Sequence, residues 1–211
     1  KQGKRPGHPR LLIVCEDSKS APGYFREIRI HHRLSTASVE VHKSEDGTAP
    51  KLVVTYAKRL FETGDPHKDI KPRAFDEVYA VFDRDDHHSY HDAIELAKSL
   101  DRKLRNDDKK PVRFVPVASV PCFELWLLLH YEDIQSALHR DEVQRRLRKH
   151  LPSYDKGGSG YFQITHPSLA VATKRAIKLA SKHDPRDGKA PVTQVESLVT
   201  RLCELKNVTG S

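Results

Sequence analysis

Two runs of apolar residues that each end in carboxylates stand out from the pattern of hydrophobic and polar positions. The first is Leu-Leu-Ile-Val-Cys at residues 11–15, which is followed directly by Glu16. The second is Val-Tyr-Ala-Val-Phe at residues 78–82, which ends in Asp-Arg-Asp-Asp at residues 83–86. Continuous apolar runs of this length predict strands of a parallel sheet that is covered on both faces.

Stretches with helical spacing of apolar residues alternate with these strands. The spacing predicts helices at about residues 22–32, 50–64 and 92–104, and further short strands at 38–42 and 112–117. An alternating order of strands and helices favours a parallel sheet with right-handed crossovers. We therefore predict that residues 1–120 form an α/β core with a mostly parallel, Rossmann-like sheet flanked by helices. Residues 1–10, which are basic and contain Gly and Pro, are predicted to be a flexible lead-in.

The second half of the chain has a different pattern. Residues 122–130 are almost wholly apolar, which predicts a helix buried on most sides and makes Trp126 a core residue. The remaining predictions are a basic helix over residues 141–150, a glycine-rich loop at 156–160, and helices at about 168–183 and 192–205. We expect residues 121–211 to be a helical extension packed on the core, so that the chain forms one compact unit.

Composition and charge narrow the class of partner. The 211 residues carry a formal net charge of +8, which favours a polyanionic partner such as nucleic acid. There is no apolar stretch long enough to cross a membrane and no secretory signal, so we expect a cytoplasmic protein that does not bind membranes. The three cysteines are scattered singly, which argues against both a disulfide framework and a zinc ribbon.

The acidic residues after the two strands are the candidate chemistry. Open α/β sheets place ligands just past the carboxyl ends of their strands, where Glu16, Asp83 and Asp85 would meet. Converging carboxylates repel one another unless protons or a divalent cation lie between them, so the pattern indicates a Mg²⁺ or Mn²⁺ site. Asp86 is either a further part of that site or solvent-facing. Turn or capping roles for Glu16, Asp83 and Asp85 stay open.

Several neighbouring residues have two interpretations each. Arg84 would pair with the acids or contact phosphate, Lys19 would contact phosphate or lie free on the surface, and His87 would assist proton transfer or do nothing. Zinc binding by His87 with His88 and His91 is disfavoured, because no cysteine or helical histidine pair accompanies them. Glu124 lies in an apolar helix and must be paired or coordinated, either facing Arg84, Lys19 or the metal site, or satisfying a core arginine.

The basic helix is the best candidate for binding a nucleic-acid backbone. Its cations either hold phosphates or form an ordinary solvated face, and a lysine in the glycine-rich loop joins them. These residues are Arg145, Arg146, Arg148, Lys149 and Lys156. The loop lacks the P-loop pattern, so we do not expect it to bind a nucleotide.

Glu16 and the Asp83-x-Asp85 pair together resemble the signature of the Toprim domain, which occurs in topoisomerases, primases and OLD-type nucleases. The match is closer still to the RloB-like family. Three segments of the first two thirds of the chain carry this resemblance: Ile-Val-Cys-Glu at 13–16 with Lys19, Pro22, Tyr24 and Phe25; Phe-Asp-Arg-Asp-Asp-His at 82–87; and Pro-Cys-Phe-Glu-Leu-Trp-Leu-Leu-Leu-His at 121–130.

The resemblance implies a Toprim-like fold and a Mg²⁺-dependent nuclease that cuts DNA or RNA in prokaryotic antiviral defence. Glu16, Asp83 and Asp85 would be catalytic and, with Asp86, would bind the metal. An ATPase encoded alongside is the expected partner, and a homo-oligomer is left open. The first motif departs from the family at Asp17, Ser18 and Ala21, where a glycine and further acids are usual. The alternative is therefore a non-catalytic Toprim-like module that binds nucleic acid or regulates a defence ATPase.

Overall fold

A computed structural model describes residues 9–189 and 191–208 of the chain, without the side chains of 206–208. Most of the lead-in predicted at residues 1–10 lies outside the described residues. Within the described ranges, no helix is long and apolar enough to span a membrane.

A five-stranded sheet forms the centre of the molecule. Its strands follow one another across the sheet in the order β2-β1-β3-β4-β5. The first four strands are parallel and β5 is antiparallel to β4, which confirms the predicted mostly parallel α/β fold. The strands are β1 (Leu11–Cys15), β2 (Val39–Lys43), β3 (Glu77–Asp83), β4 (Arg113–Val120) and β5 (Val192–Thr193).

Helices connect the strands and cover both faces of the sheet. In the described ranges they are α1 (Ser20–His31), α2 (Pro50–Thr63), α3 (Tyr90–Leu100), α4 (Glu124–Leu128), α5 (Arg140–His150), α6 (Tyr161–Thr165), α7 (Leu169–Ala180) and α8 (Val195–Val208). Short 3-10 turns at 66–68, 166–168 and 185–187 complete the connections.

Strand β1 is apolar throughout because both faces of the sheet are covered at this strand. Leu11 and Ile13 belong to the hydrophobic cluster under α1, α4, α5, α7 and α8, whereas Leu12 and Val14 belong to the cluster under α2 and α3. Successive side chains of a strand point to opposite faces, so a sheet covered on both sides needs apolar residues at every position. The two clusters also join the second half of the chain to the first, since α4 to α8 pack on the same face as α1.

The second half contains elements that its pattern did not predict. The apolar segment predicted as a helix over 122–130 has only five helical residues, Glu124–Leu128, although all of them, including Trp126, are buried. Strand β5 occupies the start of the segment predicted as a helix from 192, and α6 follows the glycine-rich loop directly. A two-residue strand and a five-residue helix are too short to leave a periodic signal.

Candidate metal site

Three carboxylates meet at the carboxyl ends of β1 and β3. Glu16, Asp83 and Asp85 each offer an oxygen, and these atoms all lie within 4.8 Å of one another. The neighbouring strands set this arrangement: Cys15 pairs with Val81, and the Glu16 backbone N–H donates to the Val81 carbonyl oxygen at 3.0 Å. The Glu16 side chain accepts a hydrogen bond from the Asp83 backbone N–H at 2.9 Å. The parallel register therefore brings the three predicted ligands together.

The turn after β3 aims Asp85 back at the site. The backbone N–H groups of Arg84 and Asp85 donate to the carbonyl oxygens of Ser119 and Pro121, at 2.8 and 3.1 Å. Asp85 adopts a left-handed backbone conformation with φ of 34°. This conformation is unusual for a residue other than glycine, although Asp tolerates it better than most. Contacts with the end of β4 thus hold an otherwise unfavourable turn in place.

Arg84 stabilises this turn and does not pair with the acids. Its guanidinium donates to the backbone carbonyl oxygens of Asp85 and His87 at 3.1 and 2.9 Å, and it lies over the Tyr90 ring. The ion pair with the carboxylates that the sequence favoured for Arg84 is absent from the described contacts. The role of Arg84 is to order the backbone that carries Asp85.

Glu124 contributes a fourth carboxylate beside the other three. Its side chain is 1% exposed. One oxygen, Oε1, accepts a hydrogen bond from the Tyr154 hydroxyl at 2.9 Å and lies 3.5 Å from Lys156 Nζ. The other oxygen, Oε2, is buried without a hydrogen-bond partner. The partners of Glu124 are thus Tyr154 and Lys156, and neither Arg84 nor Lys19.

Two cations reach the carboxylates from the second half of the chain. Lys156 lies in the loop between α5 and α6, and Arg140 is the first residue of α5. Arg140 Nη1 donates to Asp85 Oδ2 at 2.8 Å. Lys156 was predicted to bind a nucleic-acid backbone, but Arg140 escaped the sequence analysis because it precedes the basic run and belongs to no motif. Only the fold places it beside Asp85.

Burial and mutual repulsion make Glu16, Asp83 and Asp85 hard to ionise. Burial, followed by the charges of Asp17 and Asp85, raises the pKa of Glu16 to about 7, although the hydrogen bond from the Asp83 N–H opposes the shift. Burial and the charges of Glu16 and Glu124 also raise the pKa of Asp83. Burial raises the pKa of Asp85 in spite of the nearby Arg140.

The carboxylates in turn raise the pKa values of the two cations. Burial alone would lower the pKa of Lys156, but the charges of Glu124 and Asp83 outweigh it and raise that pKa. The Arg140 pKa rises in the same way, against the effect of burial, because of Asp85, Cys122 and Glu124. Both cations therefore stay charged at the site.

The donor set fits a hard divalent cation. The four carboxylates outnumber the two cations that touch them, and one oxygen each of Asp85 and Glu124 is buried without a partner. Carboxylate oxygens are the ligands that Mg²⁺ and Mn²⁺ prefer. In the described ranges no other group of three His, Cys, Asp or Glu side chains brings its ligand atoms so close, which leaves the disfavoured zinc site at His87, His88 and His91 unformed.

Other predicted site residues lie further out. Asp86 and Lys19 are exposed and do not join the group of three carboxylates. His87 is half-buried, and its backbone carbonyl accepts a hydrogen bond from Arg84. Two of the positions that depart from the family motif, Asp17 and Ala21, line the same pocket as Glu16, Asp83, Glu124 and Lys156.

Ion pairs divide the predicted basic face of α5 into two groups. Arg145 donates to Glu142 at 2.7 Å, and Arg146 donates to Glu132 at 2.7 Å. Arg148 and Lys149 are exposed and form no ion pair with the described residues. Within the predicted basic run 145–149, these two side chains are therefore the ones that no described ion pair occupies.

Comparisons with known proteins identify the family. The family model for RloB-like proteins matches residues 11–202, which include both strands of the acidic site, α5 and most of α8. No match was found among curated proteins or among solved structures. The wider likeness to Toprim domains stays a prediction.

Proposed function

We propose that this chain, which belongs to the RloB-like family, is a divalent-metal-dependent nuclease that hydrolyses phosphodiester bonds of DNA or RNA in antiviral defence. The observation that carries the proposal is the meeting of Glu16, Asp83 and Asp85 within 4.8 Å. A buried fourth carboxylate and two cations surround them. Acids to hold a metal and cations to hold phosphates are the two requirements of such an enzyme.

Each residue has a role that follows from its place. Glu16, Asp83 and Asp85 would hold Mg²⁺ or Mn²⁺, which when bound supplies Lewis-acid stabilisation of charge on the phosphate. Glu16 has one alternative role: in place of holding the metal, it would act as the general base that takes a proton from the attacking water. Lys156 would donate a hydrogen bond to a phosphate oxygen. Tyr154 holds Glu124 in place and so fixes the position of Lys156.

The charge of the molecule supports a nucleic-acid substrate. The net charge is +8 even though several acids are concentrated in the site, so the remaining surface is strongly basic. Such a surface attracts polyanions and lets a metal site reach a phosphate backbone. The partner ATPase and the homo-oligomer expected from the resemblance stay predictions.

The decisive experiment measures cleavage of labelled DNA and RNA, single- and double-stranded, with Mg²⁺ and Mn²⁺. We expect Asp83→Asn to lower cleavage by at least about a hundredfold while nucleic-acid affinity changes little, because the substitution removes a metal ligand and leaves the basic surface intact. The matched control is Asp92→Asn, which makes the same change at an exposed aspartate that pairs with Lys51. Metal binding by the same variants is measured by calorimetry.

Two results would contradict the nuclease. Cleavage that survives Asp83→Asn unchanged would place the chemistry elsewhere or in a contaminant. Binding of nucleic acid without cleavage under any divalent condition would favour the alternative, a Toprim-like module that binds nucleic acid or regulates an ATPase.

A further inference from the structure

Arg140 occupies an unusual position for a surface cation. Its side chain is 36% exposed, while that of Asp85, to which it donates at 2.8 Å, is only 15% exposed. The guanidinium therefore reaches from the start of α5 into the acidic pocket while part of it still faces solvent.

This contact would compete with a bound metal for the negative charge of Asp85. Asp85 Oδ2 is neutralised by Arg140, whereas Asp85 Oδ1 is buried without a partner. A divalent cation held by Asp85 would stand next to the guanidinium, and the two positive charges would repel each other. Metal binding thus weakens the bond between Arg140 and Asp85.

A second cation, Lys156, reaches the same pocket. Together with a displaced Arg140 it would bind an anion. Lys156 lines the same pocket as Glu16 and Asp83, and its Nζ lies 3.5 Å from Glu124 Oε1. With a metal in the site, three positive groups would surround one opening. An arginine can donate two parallel hydrogen bonds to the oxygens of a phosphate, which a lysine cannot do.

We propose that Arg140 is a substrate-binding residue of this site, which Asp85 holds in the absence of metal and which binds the scissile phosphate when a divalent cation is present. The inference rests on the proposed function and adds to it a link between metal and substrate. Each ligand then favours the other, because the metal frees Arg140 for the phosphate and the phosphate removes Arg140 from Asp85.

The test compares two affinities in one variant. We expect Arg140→Gln to tighten Mn²⁺ binding without nucleic acid by about threefold or more, because a competitor for Asp85 is gone. In the presence of Ca²⁺, the same variant should bind a short labelled single-stranded oligonucleotide about tenfold more weakly, because a charged hydrogen bond to phosphate is lost. Calorimetry gives the first affinity and fluorescence anisotropy the second, with DNA and RNA probes measured in parallel.

The matched control is Arg105→Gln, which removes the same charge from an exposed arginine before β4, at the opposite edge of the sheet from the site. It should change neither affinity by more than about twofold. Arg140→Lys keeps the charge but not the paired donors, and should recover only part of the oligonucleotide affinity.

If the role of Arg140 were purely structural, its substitution would not shift the metal affinity and the oligonucleotide affinity in opposite directions. Unchanged affinities in Arg140→Gln, or a parallel loss of both with a lowered melting temperature, would overturn the inference and leave the nuclease intact. Failure of the wild-type chain to bind Mn²⁺ even with oligonucleotide present would instead overturn the proposed function, and the inference with it.

Discussion

Glu16 is one of the residues whose ionisation affects the acidic site. Burial and the charges of Asp17 and Asp85 raise its pKa from the ordinary 4.5 to about 7, and the N–H of Asp83 moderates the shift. Near neutral pH the side chain of the metal-free protein is therefore partly protonated. A metal ion must displace that proton before it can bind, so proton and metal compete for the same oxygens.

This competition predicts that divalent-metal affinity depends on pH. We expect Mn²⁺ binding to tighten as pH rises from about 6 to about 8, and to level off once Glu16 is ionised without metal. Calorimetry in two buffers of different ionisation enthalpy should detect proton release at the lower pH. Glu16→Gln should remove most of this dependence along with part of the affinity. An affinity that stays constant across the range would show that no carboxylate titrates there.

At the scale of single residues, part of the acidic site could be predicted from the sequence alone. Glu16, Asp83 and Asp85 could be predicted because each follows an apolar strand directly, and the carboxyl ends of parallel strands share one edge. Arg140 could not, since its relation to Asp85 spans 55 positions and depends on how α5 packs. The sequence left Asp86 either part of the site or solvent-facing, and the turn that brings Asp85 inward leaves Asp86 exposed.

At the scale of elements, the loop between α5 and α6 is fixed at both ends. The Tyr161 hydroxyl accepts from the Asp155 N–H at 2.8 Å and donates to the Asp155 carbonyl oxygen at 2.9 Å. Glu27 accepts from the N–H groups of Gly160 and Phe162, at 2.5 and 2.7 Å. A glycine is required at Gly158, because a Cβ there would lie 2.3 Å from the Tyr161 hydroxyl oxygen. The loop thus holds Lys156 in one position.

Removal of the Tyr161 hydroxyl tests this anchoring. We expect Tyr161→Phe to lower the free energy of unfolding by about 1–3 kcal/mol, because it leaves the Asp155 N–H without its acceptor. Cleavage should fall several-fold more than metal affinity, since Lys156 is loosened and the carboxylates are not. Urea unfolding and cleavage rates measure the two effects. Tyr131→Phe is the control, because the Tyr131 hydroxyl makes no hydrogen bond with the described residues. Equal effects of the two variants would contradict the anchoring.

The fold was predictable where elements are long and periodic. Strands β1 to β4 and helices α1, α2, α3, α5, α7 and α8 all lie close to their predicted positions. Strand β5 has two residues and forms by pairing with the free edge of β4. Its own sequence therefore carries no pattern from which a strand could be predicted. Helix α4 is only five residues long although the residues on either side of it are also apolar. A segment can be buried in the core without a helical backbone.

At the scale of the whole molecule, an acidic site lies in a chain that is basic overall. The carboxylates converge at one edge of the sheet, while the chain as a whole is basic. Helix α5 starts at the site with Arg140 and carries Arg148 about 12 Å further along its axis. If the proposed function holds, a nucleic-acid backbone that enters the site would continue along α5.

This geometry predicts a salt-dependent contribution from the end of α5. We expect the double variant Arg148→Gln with Lys149→Gln to weaken oligonucleotide binding and to reduce the slope of log affinity against log salt by about 1.4 for a single strand or about 1.8 for a duplex, the values for two phosphate contacts. Lys103→Gln with Arg105→Gln removes two exposed cations from the opposite edge and should leave the slope unchanged. Identical slopes for both double variants would exclude α5 from the path of the backbone.

The order of the site residues along the chain has a consequence during synthesis. The three carboxylates are complete at residue 85, whereas Arg140 and Lys156 follow much later. At about 5–20 residues per second, the ribosome needs roughly 4–14 s to pass from Asp85 to Lys156. Strand β5, which pairs with β4, follows later still. Because the turn that carries Asp85 also depends on Ser119 and Pro121, and the two cations follow at positions 140 and 156, the complete site can form only after most of the chain has been made.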